Sequence, residues 1–180
     1  MRDEKTSMRG QADRPTQQLF PGALGANHLV HACVVCSDFD RSFAFYTGVL
    51  GAAPVTPPFD LDVGDSLGNF LGFSGNSKCK VVFLRWGEDA SFIELQQYYD
   101  PGTRIARTTK DMGLARFALR VDRIEAALDW VRAQNIEIVG GAGAWEFTLP
   151  SGLRRRGFSV RDPDGTLVEL IEYGEYSGPT

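Results

Sequence analysis

A chain of 180 residues, 43% hydrophobic and 23% charged, has the make-up of one globular domain or of two small modules sharing a core. Nineteen Lys and Arg against 23 Asp and Glu leave a net charge of −4, which excludes the dense basic surface of a nucleic-acid-coating protein. No apolar run approaches the roughly 20 residues that cross a bilayer, the first residues lack the apolar stretch of a secretory signal, and three cysteines make a poor disulfide framework. A cytoplasmic protein with no membrane or nucleic-acid partner is expected.

Residues 1–26 are polar and without sustained period, and read as a mobile arm. HLVHACVVC reads as a buried strand over 28–36. Ser37 or Asp38 can cap the helix that follows, in which Phe39, Phe43, Tyr46 and Leu50 recur at helical spacing before Gly51. A short strand is expected at 52–56, then a long loop at 57–78, then a hairpin of strands at 79–86 and 91–98. Residues 100–112 read as a linker. The pattern then restarts, with a strand at 114–121, a helix at 123–134 and a strand at 136–139. A loop at 140–152 leads to a strand at 154–161, the DPDG turn at 162–165 and a last strand at 166–173.

The two halves share one element order, and sliding one by about 85 positions lays HACVVCSDFDRSFAF on RFALRVDRIEAALDW. The expected fold is therefore α+β: two tandem βαβββ modules, at 27–99 and 113–174, whose mixed sheets form a cup, with a tail at 175–180. Such an open cup leaves sheet edges to cover, so a homodimer is expected.

Strand parity places Glu94 on one face with Phe92, Gln96 and Tyr98, and Glu169 on one face with Leu167, Ile171 and Tyr173. Both glutamates, like Arg116 in LARFALRV, interrupt apolar strands, where a bare charge is costly unless paired or metal-bound. His28 points to the face opposite His31 and reads as structural or exposed. Cys33 shares parity with His31 and lines the cup. The C-x-x-C of Cys33 and Cys36 puts its two thiols on opposite faces, which disfavours redox or zinc use. The run Arg154–Arg156 is a candidate anion contact at the rim, with Arg156 the member singled out, against a solvated strand end. Phe59, Phe70, Phe73 and Trp145, in the two long loops, either cover a substrate or plug the open edge of the cup. With two histidines on one strand, no Ser/His/Asp triad is available.

Three stretches resemble the vicinal oxygen chelate superfamily, which holds glyoxalase I, methylmalonyl-CoA epimerase, extradiol dioxygenases and bleomycin-resistance proteins. They are H-x-x-V-V-x-S-D-x-D-R-S-x-x-F-Y-x-x-V-L-G at 31–51, F-I-E-L at 92–95 and D-P-D-G-x-x-V-E-L at 162–170. The resemblance implies a small-molecule enzyme with metal-ligand positions at His31, Glu94 and Glu169. The usual ligand at the third position is replaced by Arg116, which has no lone pair to donate. A divalent ion (Zn, Ni, Co, Fe or Mn) on His31, Glu94 and Glu169 would polarise a carbonyl, with Glu94 or Glu169 as general base on the neighbouring carbon. That is lyase or isomerase chemistry. Alternatively, Arg116 pairs with a glutamate and fills the metal's place, leaving a metal-free binding cup of the bleomycin-resistance type. In a third reading Arg116 clamps a substrate carboxylate beside a weakened metal site. Cys33, Gln96, Tyr98, Phe70, Phe73, Trp145 and Arg156 are the further candidate substrate contacts. Dioxygenase chemistry is disfavoured because Arg116 removes the second histidine.

Overall fold

The computed structural model describes residues 29–64, 71, 77–88, 91–102, 113–114, 116–141, 143–149 and 152–176. The N-terminal arm, His28, Phe70, Phe73 and most of the linker lie outside these residues. Among them, the chain builds two mixed sheets, one per repeat.

The first sheet contains β1 (His31–Val35), β2 (Ala53–Pro54), β3 (Phe59–Val63), β4 (Ser77–Arg85) and β5 (Phe92–Tyr98). Its order is β1-β5-β4, with β2 and β3 both pairing β4. β1 runs parallel to β5, and the other pairs are antiparallel. Between β1 and β2 lies α1 (Phe39–Ala44), which continues as a π-helical turn over Phe45–Val49. Asp38, rather than Ser37, caps α1, its carboxylate accepting from Arg41 N at 3.0 Å. Gly51 ends the helix with φ of 73°, a backbone conformation that side-chain-bearing residues disfavour. The second sheet contains β6 (Arg116–Arg120), β7 (Trp145–Thr148), β8 (Leu153–Arg161) and β9 (Leu167–Tyr176), in the order β6-β9-β8-β7. α2 (Ile124–Ala133) follows β6.

Three expectations need correction. The segment 57–78 is not all loop. Phe59, Leu61 and Val63 alternate with Asp60 and Asp62, and this period of two forms β3 despite the preceding Pro57 and Pro58. The segment 140–152 likewise contains β7. Conversely, the strand expected at 136–139 is reduced to one bridge, Ile138 to Val160.

Each helix covers one face of its sheet. Phe39 and Tyr46 bury against Val34, Val82, Leu84, Ile93 and Leu95. Ile124, Leu128 and Val131 bury against Phe158, Val160, Val168 and Leu170. Phe117 packs against both clusters and joins the two cores. The modules are also tied by polar contacts. Ser37 N and Oγ donate to Asp164 at 2.9 and 2.5 Å, and the buried Tyr46 hydroxyl donates to Asp162 Oδ2 at 3.1 Å.

These contacts orient the edge strands β1 and β6. Ser37, just past the end of β1, meets Asp164 in the turn before β9. At the other end, Leu29, just before β1, shares a cleft with Arg120, the last residue of β6. The two edges therefore face each other in opposite directions. Side chains pack their seam, and no ladder joins the sheets among the described residues. No described helix is long and apolar enough to cross a membrane.

Candidate functional site

The face of each sheet away from its helix carries a nitrogen-to-carboxylate pair at the same place in the repeat. In the first module His31 Nε2 lies 3.2 Å from Glu94 Oε2. Along the β1/β5 ladder His31 stands opposite Phe92, and Cys33 opposite Glu94, so the pair reaches diagonally. In the second module Arg116 Nε donates to Glu169 Oε1 at 2.6 Å. Arg116 stands opposite Leu167, and Ala118 opposite Glu169, which is the same diagonal. Both carboxylates are mostly covered, Glu94 at 14% and Glu169 at 18% exposure, while His31 and Arg116 reach solvent. The His31 ring also leans on Phe83, 6.3 Å between centroids.

Cys33, beside His31 on this face, is no ready nucleophile. Burial, and then the charge of Glu94, push its thiol pKa up to about 12. Gln96 is buried on the same face. Tyr98 packs with Leu61, Val63, Cys79, Val81 and Phe83, making an apolar floor in the first module. Trp145 stands in the second sheet next to Gly157, on the face of Glu169.

Arg156 is not at this face. It lies on the helix side of the second sheet, in an ion-pair network with Glu125, Glu146 and Glu172. Glu172 also accepts from Ile124 N at 2.7 Å and so supplies the N-terminal cap that α2 otherwise lacks. The arginine of the run that faces the cup is Arg155, whose guanidinium carbon stands 3.7 Å from the centre of the Tyr173 ring. Arg120 approaches the same ring at 5.6 Å. Sequence reasoning passed over Arg120 and, within the run 154–156, singled out Arg156 rather than Arg155. Parity counted from Glu169 through Tyr173 and across the β8/β9 ladder would have found Arg155.

The three-ligand set His31, Glu94 and Glu169 is not assembled: among the described residues, no three His, Cys, Asp or Glu gather closely enough to hold one ion. The chemistry of the donors points the same way. A resident divalent ion takes three or four lone-pair donors. Here His31 and Glu94 offer two, while Glu169 is held by a guanidinium that brings a fixed positive charge. The residues present do not fit a resident metal.

The family model described as Glyoxalase/Bleomycin resistance protein/Dioxygenase superfamily matches residues 28–170. The chain belongs to this superfamily. Among curated relatives, a probable lactoylglutathione lyase of Vibrio parahaemolyticus is 27% identical over 146 residues, covering 80% of this chain and 89% of the relative. A 2-epi-5-epi-valiolone epimerase of an Actinomyces species is 27% identical over 124 residues, covering 67% and 65%. Among solved structures, a glyoxalase family protein from Bacillus cereus has a TM-score of 0.63 at 18% identity, covering 83% of this chain and 97% of that one. These likenesses fit the expected glyoxalase-like α+β fold.

Proposed function

We propose that this glyoxalase-superfamily member is an enzyme that moves a proton on a carbon next to a carbonyl of a small-molecule substrate, as a lyase or isomerase, without a resident metal. The observation that carries the reading is the Arg116–Glu169 pair at 2.6 Å, a fixed cation where the resemblance expects a metal ligand. The names of the relatives, a lactoylglutathione lyase and an epimerase, support the reaction class.

In this reading Glu94 takes the proton from carbon, and the bonding pair becomes the double bond of an enolate whose charge collects on oxygen. Arg116 turns from Glu169 to donate to that oxygen, so the guanidinium supplies the charge stabilisation. His31, within hydrogen-bond reach of Glu94, holds the base in place and relays its proton. Glu169, freed from Arg116, faces the substrate as a second proton donor or acceptor. A cytoplasmic homodimer is part of the reading.

The self-neutralised Arg116–Glu169 pair also favours a second reading, metal-free sequestration of a small molecule. Chelator-treated protein incubated with the methylglyoxal–glutathione hemithioacetal and with chiral α-substituted ketones in D2O separates the two. Turnover or deuterium uptake that survives chelation and is lost in Glu94→Gln and Arg116→Met supports the enzyme. Turnover that appears after a divalent ion is added overturns the metal-free mechanism. Tight binding of a carbonyl compound with no exchange supports sequestration.

A further inference from the structure

The seam between the modules opens at one end into a cleft of about 440 Å³. Its first-module wall is Leu29, Ala32, Trp86, Phe92 and Ile93, and its second-module wall is Phe117, Leu119, Arg120 and Tyr173. The lining mixes apolar and aromatic side chains with polar surface, Ser91 included, and has its positive charge at one end. Ligand sites have this composition: an apolar body and a few placed polar groups.

The charge at that end is unspent. Arg120 and Arg155 flank the half-exposed Tyr173 ring at 5.6 and 3.7 Å. Neither makes an ion pair with a carboxylate among the described residues, as is also true of Arg85, Arg123 and Arg161, whereas Arg41, Arg116, Arg132, Arg154 and Arg156 do. Two guanidiniums stacked about one ring are held in register by the ring, which lowers the entropy lost when an anion binds. The cleft also adjoins the His31–Glu94 pair, because its wall residue Phe92 stands directly across the ladder from His31.

We infer that this cleft binds an organic anion: a carboxylate or phosphate held by Arg120 and Arg155 at Tyr173, with a planar or acyl body lying between Trp86, Phe92 and Phe117. The anion names the substrate class of the proposed reaction, and to that extent the inference rests on that reading. The body would span both modules and set the width of the seam between β1 and β6, so occupancy would bring the two pairs into a fixed relation.

Binding is read without turnover. Trp86 is the tryptophan in the cleft, and its indole Nε1–H donates to Leu50 O at 2.6 Å, which gives a distinct amide-region signal in nitrogen-15 spectra. Titration of the full chain with 2-naphthoate is expected to shift the Trp86 indole signal and leave that of Trp130, on the exposed side of α2, in place. The neutral analogue 2-naphthamide is expected to bind at least tenfold more weakly. Arg120→Met and Arg155→Met are each expected to remove that preference, while Arg156→Met, on the opposite face, retains it. Inorganic phosphate that competes with naphthoate assigns the head group to phosphate, and no competition assigns it to carboxylate. Equal affinity for naphthoate and naphthamide, or an unchanged preference in Arg120→Met with an unchanged melting temperature, overturns the inference. Glu94→Gln separates the two proposals. Naphthoate binding retained in an inactive variant keeps the cleft, and turnover lost with no anion preference in the wild type sinks the cleft alone.

Discussion

Arg116 Nε stands 2.6 Å from Glu169 Oε1, two residues beyond its own ladder partner, Leu167. The same step in the first module is taken by His31 and Glu94. One position of the repeat thus holds a titratable imidazole in one module and a permanent cation in the other. The two modules offer different chemistry on one geometry.

Replacing that cation restores a donor without completing a metal site. Wild-type protein dialysed against zinc and then against buffer is expected to retain well under one ion per chain, measured by plasma mass spectrometry, and Arg116→His is expected to retain no more, because the new imidazole joins Glu169 alone and leaves two donors in each module. The same substitution should cost little stability, about 0–1 kcal/mol, because Arg116 is 45% exposed and solvent screens the pair. Stoichiometric zinc in the wild type would show that the guanidinium does not keep an ion away.

The tie between modules is buried and is expected to cost more. Asp162 is 4% exposed and takes three donors: the Tyr46 hydroxyl on Oδ2, and the Asp164 and Thr166 amides on Oδ1. Tyr46→Phe removes one and should destabilise by about 1 kcal/mol. Asp162→Ala strands the fully buried hydroxyl and opens the turn, and should cost about 2–4 kcal/mol. Urea titration followed by circular dichroism reads both. Equal losses would mean that the turn does not depend on the carboxylate.

Much of this architecture is written in local signals. The helix of the first module shows in the spacing of Phe39, Phe43 and Tyr46, and the charged positions show because Glu94, Arg116 and Glu169 interrupt apolar strands. The strands β3 and β7 were hidden for a physical reason. Both are short and flanked by proline or glycine, and alternation over four or five residues is outweighed by such neighbours. The face of Arg156 was hidden differently. Three consecutive arginines put charge on both faces, so the run itself does not say which member meets the cup. The register of Arg155 with Tyr173 and of Arg156 with Glu172 decides it.

The Cys33 thiol should make stability fall in alkali. Its pKa rises from an ordinary 9.0 to about 12, so above pH 9 the unfolded chain gives up a proton that the folded chain keeps. The contribution is full below pH 9 and is lost as pH climbs toward 12. The urea midpoint is expected to drop between pH 8 and pH 10.5 and to drop less in Cys33→Ala. At pH 8 the thiol should alkylate slowly with iodoacetamide despite the exposure of Cys33. Fast alkylation at pH 8 would contradict the raised pKa.

Gly157 is the close approach that seats Trp145. A Cβ built there would lie 2.7 Å from Trp145 Cζ2 and 2.8 Å from the Leu170 carbonyl oxygen. The indole can swing aside, since Trp145 is 37% exposed, but the carbonyl belongs to the β8/β9 ladder and cannot move without breaking register. Gly157→Ala is therefore expected to destabilise by about 1–3 kcal/mol. Adding Trp145→Ala should recover part of that loss and not all, because the backbone contact remains. Thermal melts of the two variants measure it. Full recovery in the double variant would place the whole strain on the indole and show that the ladder yields to a methyl group.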